Sequence, residues 1–287
     1  MKDARSPITA NYAPELDQSP ELNPELATYY QSLIGILRWM VELGRVDICL
    51  EVSMLSSHLA LPRQGHLDQL LHMFTYLKKY HNSCLVFDPT EPDFDESAFE
   101  RKDWTSSEFG HVDGVEEIPP NMPKPRGVGV IVSARVDADH AADTTTRRSR
   151  TGFLVYINSA PIYWMSKKQN SVESSSFGSE FIAMKQCCEY VRGLRYKLRM
   201  MGIPVEDPAF IYGDNKSVLS NPTLGPDSVL SKKSNSIAYH FVREGASMDE
   251  WRTGYINTKE NPADILSKAV PAGKDRDHKV GLIMWDI

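Results

Sequence analysis

No apolar run in this 287-residue chain approaches the roughly 20 residues that a membrane-spanning helix needs. Cysteine is scarce. Cys49, Cys84, Cys187 and Cys188 form no CxxC pair, and the adjacent Cys187 and Cys188 are badly placed to bond each other. A disulfide framework and a zinc site are therefore excluded as organising features. The first residues, Met1-Lys2-Asp3-Ala4-Arg5-Ser6-Pro7, lead into no apolar stretch, so no secretory leader is read there. An intracellular, reducing setting is expected, cytoplasmic or nuclear. Internal repeats are absent as well.

The composition that remains, 41% hydrophobic and 24% charged, is that of a globular chain of one or two domains. A net charge of −6 argues at first against a nucleic-acid partner. Its distribution argues the other way. Between Asp88 and Glu117 stand 11 acidic and 2 basic residues, whereas residues 118–287 carry 23 basic and 18 acidic ones. One acidic segment sets the sign of the chain, and the C-terminal half is mildly basic.

Five segments follow from pattern. Residues 1–25, with Pro7, Pro14, Pro20 and Pro24, read as an extended tail. Residues 26–87 form a helical block. Tyr30, Leu33, Ile34, Leu37 and Val41 share one helix face, and Asp47 is expected to cap a second helix running through Leu59. Leu67, Leu70, Leu71, Phe74 and Leu77 mark a third, and Leu85-Val86-Phe87 is a short strand candidate. Residues 88–126 read as an acidic loop or disordered insert. Residues 127–270 change to an α/β pattern, and residues 271–287 read as a C-terminal tail. The α/β region opens with strands at Val128–Val136, Gly152–Ile157 and Pro161–Met165, joined by connections short enough for an antiparallel meander. A long helix follows from about Ser179 to Met201, then a strand at Ala209–Tyr212 and helices near 215–221 and 234–246. A strand at 253–257 and a helix at 262–269 close the series. This order is a mixed sheet with flanking helices.

Four acids stand out by position. Asp137 and Asp214 each end an apolar strand, where sites outside a sheet's carboxyl edge lie. Glu180 and Asp264 sit in the first turns of helices, where single acids are common because they complement the dipole. Taken singly, each is ordinary. If they converge, their repulsion is relieved only by cations, and hard oxygen ligands select Mg²⁺ or Mn²⁺.

The motifs around these acids resemble the ribonuclease H domain of copia-type LTR-retrotransposon polyproteins. The matching segments are Val136-Asp-Ala-Asp-His-Ala-Ala-Asp143, Arg147-Arg-Ser-Arg-Thr-Gly-Phe153, Trp164-Met-Ser-Lys-Lys-Gln169, Ser174-Ser-Ser-Phe-Gly-Ser-Glu-Phe-Ile-Ala183, Ile211-Tyr-Gly-Asp-Asn-Lys-Ser217, Tyr239-His-Phe-Val-Arg-Glu244 and Ala263-Asp-Ile-Leu-Ser-Lys268. Seven segments in order make the resemblance specific. Tyr30-Gln-Ser-Leu-Ile-Gly35, Val46-Asp-Ile48, Leu55-Ser56 and Tyr76-Leu-Lys78 are similar to the end of the reverse-transcriptase region that precedes this domain in those polyproteins.

The resemblance implies a ribonuclease H-like α/β fold preceded by a small helical block. It also implies two-metal hydrolysis of the RNA strand of an RNA–DNA hybrid, with two Mg²⁺, or Mn²⁺ as a substitute. It places the catalytic and metal-binding set on Asp137, Glu180, Asp214 and Asp264. Asp137 would bridge the metals, Glu180 and Asp214 would hold the leaving side, and Asp264 would hold the water-activating side. Candidate hybrid contacts are Arg147, Arg148, Arg150, Lys167, Lys168, Gln169, Asn215 and Lys216, with Arg192, Arg195 and Arg199 along one face of the long helix. The partners implied are the hybrid and the remainder of a reverse transcriptase, within a virus-like particle or the nucleus.

The sequence departs from the family at several points. His140 and Ala142 replace the usual Trp and Gly, and Phe177-Gly-Ser-Glu180 carries one acid fewer than the family motif. Lys233-Ser-Asn-Ser-Ile237 lacks the common His and Asp. Thr258-Lys-Glu-Asn-Pro262 lacks the loop His of cellular relatives, so water activation or product release would differ. No adjacent pair of aspartates is present, so no polymerase site is expected, and the chain reads as a portion of a polyprotein. Asp139 is expected to be a solvated turn residue, with a role beside Asp137 as the alternative. Three functions compete: an active hybrid ribonuclease, a catalytically idle nucleic-acid-binding remnant, and a strand-transfer nuclease. The acidic order Asp–Glu–Asp–Asp argues against the third. A further hypothesis is that the acidic insert docks on the basic surface, in which case deleting residues 90–118 tightens hybrid binding at low salt.

Overall fold

The computed structural model describes residues 4–93, 96–99, 101, 103–104, 114–220 and 236–285. Its main sheet begins with the expected antiparallel meander of β2 (Val132–Asp139), β3 (Arg150–Ile157) and β4 (Ala160–Lys168). On the far side of β2, β5 (Ala209–Gly213) and β6 (Trp251–Tyr255) are added in parallel, giving the order β4-β3-β2-β5-β6. The α/β mixed sheet with flanking helices inferred from sequence is therefore the observed fold class.

Successive residues of β3 show why both faces are covered. Phe153 and Val155 enter one hydrophobic core, and Leu154 between them enters a second. The first core lies under α4 (Ser176–Met200), whose Phe181, Met184, Cys188, Val191 and Leu198 form the buried stripe expected of them. It also takes Ala238, Tyr239 and Val242 of α6 (Ser236–Ser247). The expected helix after Asp214 is present as α5 (Lys216–Ser220), but its expected end at position 221 lies outside the described residues.

The second core joins the sheet to the helical block. Its α1 (Pro24–Glu42) starts at Asn23, whose side chain accepts the Leu26 amide, with Pro24 at the first helical position. α2 is shorter than expected, Cys49–Ser56, and Asp47 does not cap it. The Asp47 carboxylate is taken instead by Arg45, at 2.9 Å from Nε and 2.8 Å from Nη2. α3 spans Gln64–Lys79. The block is tied to the sheet by polar contacts as well as apolar ones. The Trp164 indole donates to the Val41 carbonyl at 3.0 Å, and the Ser53 hydroxyl donates to the Ser166 carbonyl at 2.8 Å.

Both ends of the described chain are packed. Ala4 and Ile8 are buried, and the Thr9 amide and hydroxyl both donate to Gln69 on α3. Residues 274–285, read as part of a tail, join the second core. In chain order, α7 (Asp264–Ser267) is followed by α8 (Lys274–Gly281) and β7 (Met284–Trp285). β7 pairs antiparallel with β1 (Cys84–Leu85), the strand foreseen around Leu85. Arg276 of α8 is 2% exposed; it donates to the Asp47 carbonyl at 2.8 Å and stands 3.5 Å from Glu51.

The acidic insert is anchored at several of its described residues. Phe99 packs edge-on against Phe210 and Tyr212, at ring-centroid distances of 5.0 and 4.7 Å. Trp104 joins the first core, and Glu116 reaches α4. Among the described residues, no helix is long and apolar enough to cross a membrane.

Candidate active site: a carboxylate cluster

Asp137 and Asp214 meet because β2 and β5 are parallel neighbours. Ala134 lies opposite Ile211 and Arg135 opposite Tyr212, so two residues further on the aspartates stand side by side, Asp137 still paired with β3 and Asp214 just past the end of β5. Asp264 arrives on α7 from the helical-block side. Asn261 fixes that approach: fully buried, it donates to the Val136 carbonyl at 3.0 Å and accepts the Ala263 amide at 3.1 Å. Gly152 permits it. This residue pairs with Asp137 across the sheet, and a Cβ there would lie 2.7 Å from the Leu266 carbonyl carbon and 2.8 Å from the Ser267 nitrogen. Nothing in the sequence pattern marked Asn261 or Gly152 as builders of the site.

The outcome is convergence. Asp137, Asp214 and Asp264 each offer a carboxylate oxygen, all within 4.8 Å of one another. Glu180 enters from the second turn of α4, because the helix begins at Ser176 rather than near Ser179; its start is capped by the Ser175 hydroxyl accepting the Gly178 amide at 3.3 Å. It lies outside that tightest group but inside its field. Burial, then the charges of Asp137 and Asp214, push its carboxyl up to about 9. Asp137 is pushed up to about 7 by burial and by Asp264 and Asp214, against the opposing pull of Lys268.

Further side chains complete the cluster, and sequence reasoning had not singled them out. The Ser267 hydroxyl donates to Asp137, and the Thr258 hydroxyl donates to Asp214 at 2.8 Å. Lys268 Nζ lies 2.9 Å from Asp264 Oδ1 and 3.5 Å from Asp137, while Lys279 Nζ lies 2.6 Å from Asp264 Oδ2. The Lys268 contact is an ion pair without hydrogen-bond alignment, so Asp264 Oδ1 is buried with no hydrogen-bond partner among the described residues. Asp139 departs from its expected solvated turn. β2 continues through it, and desolvation raises its carboxyl while Lys268 and Arg150 pull the other way.

The basic candidates divide. Arg147, Arg148, Lys167 and Lys216 are exposed. Arg150 and Gln169 are not free to face a phosphate. Arg150 is 6% exposed and donates to the Ser53 hydroxyl at 2.8 Å, and Gln169 is 1% exposed and donates to the Ser179 carbonyl at 2.8 Å. Arg150 instead braces the helical block against the sheet, and Gln169 ties the end of β4 to the start of α4. Lys168 pairs with Asp143. Asn215 accepts the amides of Ser217 and Val218 at 3.1 and 3.3 Å as the cap of α5, and Lys216 lies over the Tyr255 ring at 4.6 Å. On α4, Arg195 and Arg199 are buried against Glu116, and Arg192 is paired with Glu250, so this face is not a free basic stripe. A cavity of about 280 Å³ opens beside the cluster, lined among others by Asp139, Thr144, Arg148, Lys168 and Lys268.

No protein-family model matches the chain. It is 25% identical over 284 residues to the retrovirus-related Pol polyprotein from transposon TNT 1-94 of Nicotiana tabacum, a match covering 96% of this chain and 18% of the relative. It is 26% identical over 267 residues to the corresponding polyprotein from transposon RE1 of Arabidopsis thaliana, covering 91% of this chain and 15% of the relative. Among solved structures, LC11-RNase H1 in complex with an RNA/DNA hybrid aligns with a TM-score of 0.36 at 11% identity, covering 48% of this chain and 93% of that one. Homologues of the chain thus include retrovirus-related Pol polyproteins of plant transposons, of whose length it spans less than a fifth.

Proposed function

We propose that the chain hydrolyses the RNA strand of an RNA–DNA hybrid, with Mg²⁺ or Mn²⁺ held by Asp137, Asp214, Asp264 and Glu180. The observation that carries this reading is the convergence of three aspartates within 4.8 Å at the carboxyl ends of two parallel strands. The donor set fits a hard cation. It is all carboxylate, its members raise one another's proton affinity, and Asp264 Oδ1 is a buried acceptor without a hydrogen-bond partner among the described residues. A divalent ion bound there supplies an activated water and charge stabilisation for the leaving oxygen.

The chain's own residues supply the rest. Ser267 and Thr258 fix the orientation of Asp137 and Asp214 by donating to them. Asn261 and Gly152 hold α7, and with it Asp264, against the sheet. Arg148 and Lys167 present exposed cationic donors suited to backbone phosphates. The remainder of a reverse transcriptase is the proposed protein partner, and a virus-like particle or the nucleus the proposed location.

Purified protein incubated with a labelled hybrid and Mg²⁺ tests the reading. Cleavage is expected, and Asp137→Asn or Asp214→Asn should reduce it by more than about a hundredfold, since each removes charge from the reacting centre. Undiminished cleavage in both variants would refute the assignment. A second reading, hybrid binding without turnover, is favoured by Lys268, which spans Asp137 and Asp264 as a counter-ion. It predicts binding without cleavage throughout a Mg²⁺ and Mn²⁺ series.

A further inference from the structure

Two ammonium groups reach the carboxylate cluster, and they differ in freedom. The Lys279 side chain is 5% exposed and is held by Asp264 Oδ2 at 2.6 Å and by Asp275 at 3.2 Å. Its helix, α8, is pinned three residues earlier by Arg276, which is buried between the Asp47 carbonyl and Glu51. Lys268 is the first residue past α7, where the backbone turns extended (φ −133°, ψ 144°), and its side chain is 37% exposed. Its Nζ stands between two acids, 2.9 Å from Asp264 Oδ1 and 3.5 Å from Asp137 Oδ2.

What each lysine loses by leaving separates them. Lys279 would abandon a buried carboxylate to which it is hydrogen-bonded. Lys268 holds Asp264 Oδ1 by charge alone, without hydrogen-bond alignment, and its stem already reaches water. A second acid is at hand. Asp139 lies two residues beyond Asp137 on the same face of β2, and its carboxyl already feels the Lys268 charge. Asp139 and Lys268 both line the cavity of about 280 Å³ beside the cluster. The ammonium therefore has two acidic positions, one between Asp137 and Asp264 and one at Asp139.

We propose that Lys268 is an exchangeable counter-ion. It neutralises the cluster between Asp137 and Asp264, yields that place to a divalent cation, and moves to the Asp139 side of the cavity. Charge is the physical reason. A monovalent ion brings no more charge than the ammonium and gains nothing by displacing it, whereas a divalent ion does. Lys268 thus keeps Na⁺ and K⁺ from the acids and sets how strongly Mg²⁺ or Mn²⁺ must bind to enter. It is a positioning residue, acting through the carboxylates. The inference rests on the proposed reading of these carboxylates as metal ligands, but neither on turnover nor on the number of ions bound.

The test is amine acetylation of the full chain, read residue by residue by mass spectrometry, in Mg²⁺ and in K⁺ at equal ionic strength. Lys268 labelling should rise severalfold in Mg²⁺ and not in K⁺, because the ammonium leaves two acids for one and for solvent, while Lys279 stays protected in both. Equilibrium dialysis with Mn²⁺ gives an independent readout. Lys268→Met should bind Mn²⁺ about tenfold more tightly, having no ammonium to displace, whereas the charge-preserving Lys268→Arg should stay near native. Lys268 labelling that ignores Mg²⁺ while dialysis shows the ion bound would overturn the exchange and leave the metal site standing. Equal Mn²⁺ affinity in the native protein and a folded Lys268→Met would do the same. The native labelling decides even where the variant fails to fold. No bound ion in either protein removes both readings. Cleavage of an RNA–DNA hybrid is scored separately, and exchange without cleavage supports this inference while removing the nuclease reading.

Discussion

The carboxylate cluster and the Glu116 clamp on α4 both bury acids beside cations, and they follow opposite rules. Glu116 alone faces two arginines. Arg195 donates at 2.9 and 2.7 Å, and Arg199 pairs with the same carboxylate at 2.5 and 2.7 Å. Although burial raises its proton affinity, these bonds hold the acid down to about 2. At the cluster, four acids share two lysines, and Asp137 and Glu180 are pushed up instead. An acid outnumbered by cations is a fastening. Acids that outnumber their cations destabilise the fold locally and persist where a bound cation completes them. Between the two lies the Arg276–Glu51 pair, one to one, where burial still lifts the Glu51 carboxyl to about 7.

Removing a fastening should have the largest effect. Arg276→Met leaves Glu51 buried beside Asp47 without its cation and loosens α8, and should cost about 3–5 kcal/mol in urea unfolding. Stability unchanged within error would show that this pair does not hold the C-terminal segment. Glu116→Gln should cost about 2 kcal/mol by losing charge-assisted bonds to both arginines. The sign with pH follows from its lowered folded value. The contribution is complete above the unfolded carboxyl range near about 4. It disappears as pH falls toward about 2, so the gap between native and variant should close over that window. A gap that persists at the acid end would mean the clamp does not titrate as a carboxylate. This point variant is also a cleaner probe of the insert than deleting residues 90–118, which would take Phe99 and Trp104 out of the core.

Gly152→Ala probes the cluster's geometry rather than its charge. The added methyl meets the α7 backbone and should cost about 1–2 kcal/mol. It should also weaken Mn²⁺ binding by displacing Asp264 from Asp137, and unaltered metal affinity would remove Gly152 from the site. The smallest effect has the reverse sign. With no divalent ion present, Asp137→Asn should raise the melting temperature by about 2–4 °C, because it relieves acid repulsion worth about 1 kcal/mol. Asp137 is raised in the folded state, so ionising it costs stability as pH climbs from the unfolded carboxyl range to about 7, and the gain should be greatest above that. Mg²⁺ should then raise the melting temperature of the native protein more than that of the variant. A melting temperature lowered by the substitution would place Asp137 among the fastenings.

Much of this was legible along the chain. The apolar runs ending at Asp137 and Asp214, and the helical stripes of α1 and α4, are local patterns set by side-chain periodicity, and the structure keeps them within a few residues. Asp47 misled because a capping residue type is only an offer, and Arg45 two positions earlier took it first. Arg150 and Gln169 misled because a basic or amide side chain reads as solvent-facing until a partner is known. Theirs are Ser53, on another element, and the Ser179 carbonyl at the start of α4.

By itself the sequence determined the order of the main elements through α7, the mixed sheet and four acids near element ends, because strand alternation, helix periodicity and end position are properties of short stretches. Only the tertiary structure decided that three of those acids lie within 4.8 Å. It alone brought Lys279 of the presumed tail to Asp264, and set Arg195 and Arg199 on Glu116 rather than leaving them open to a phosphate. Charge balance is a property of a place in space. The groups that settle it here are strangers along the chain, joined only when the sheet closes and the second core brings α7, α8 and the helical block together.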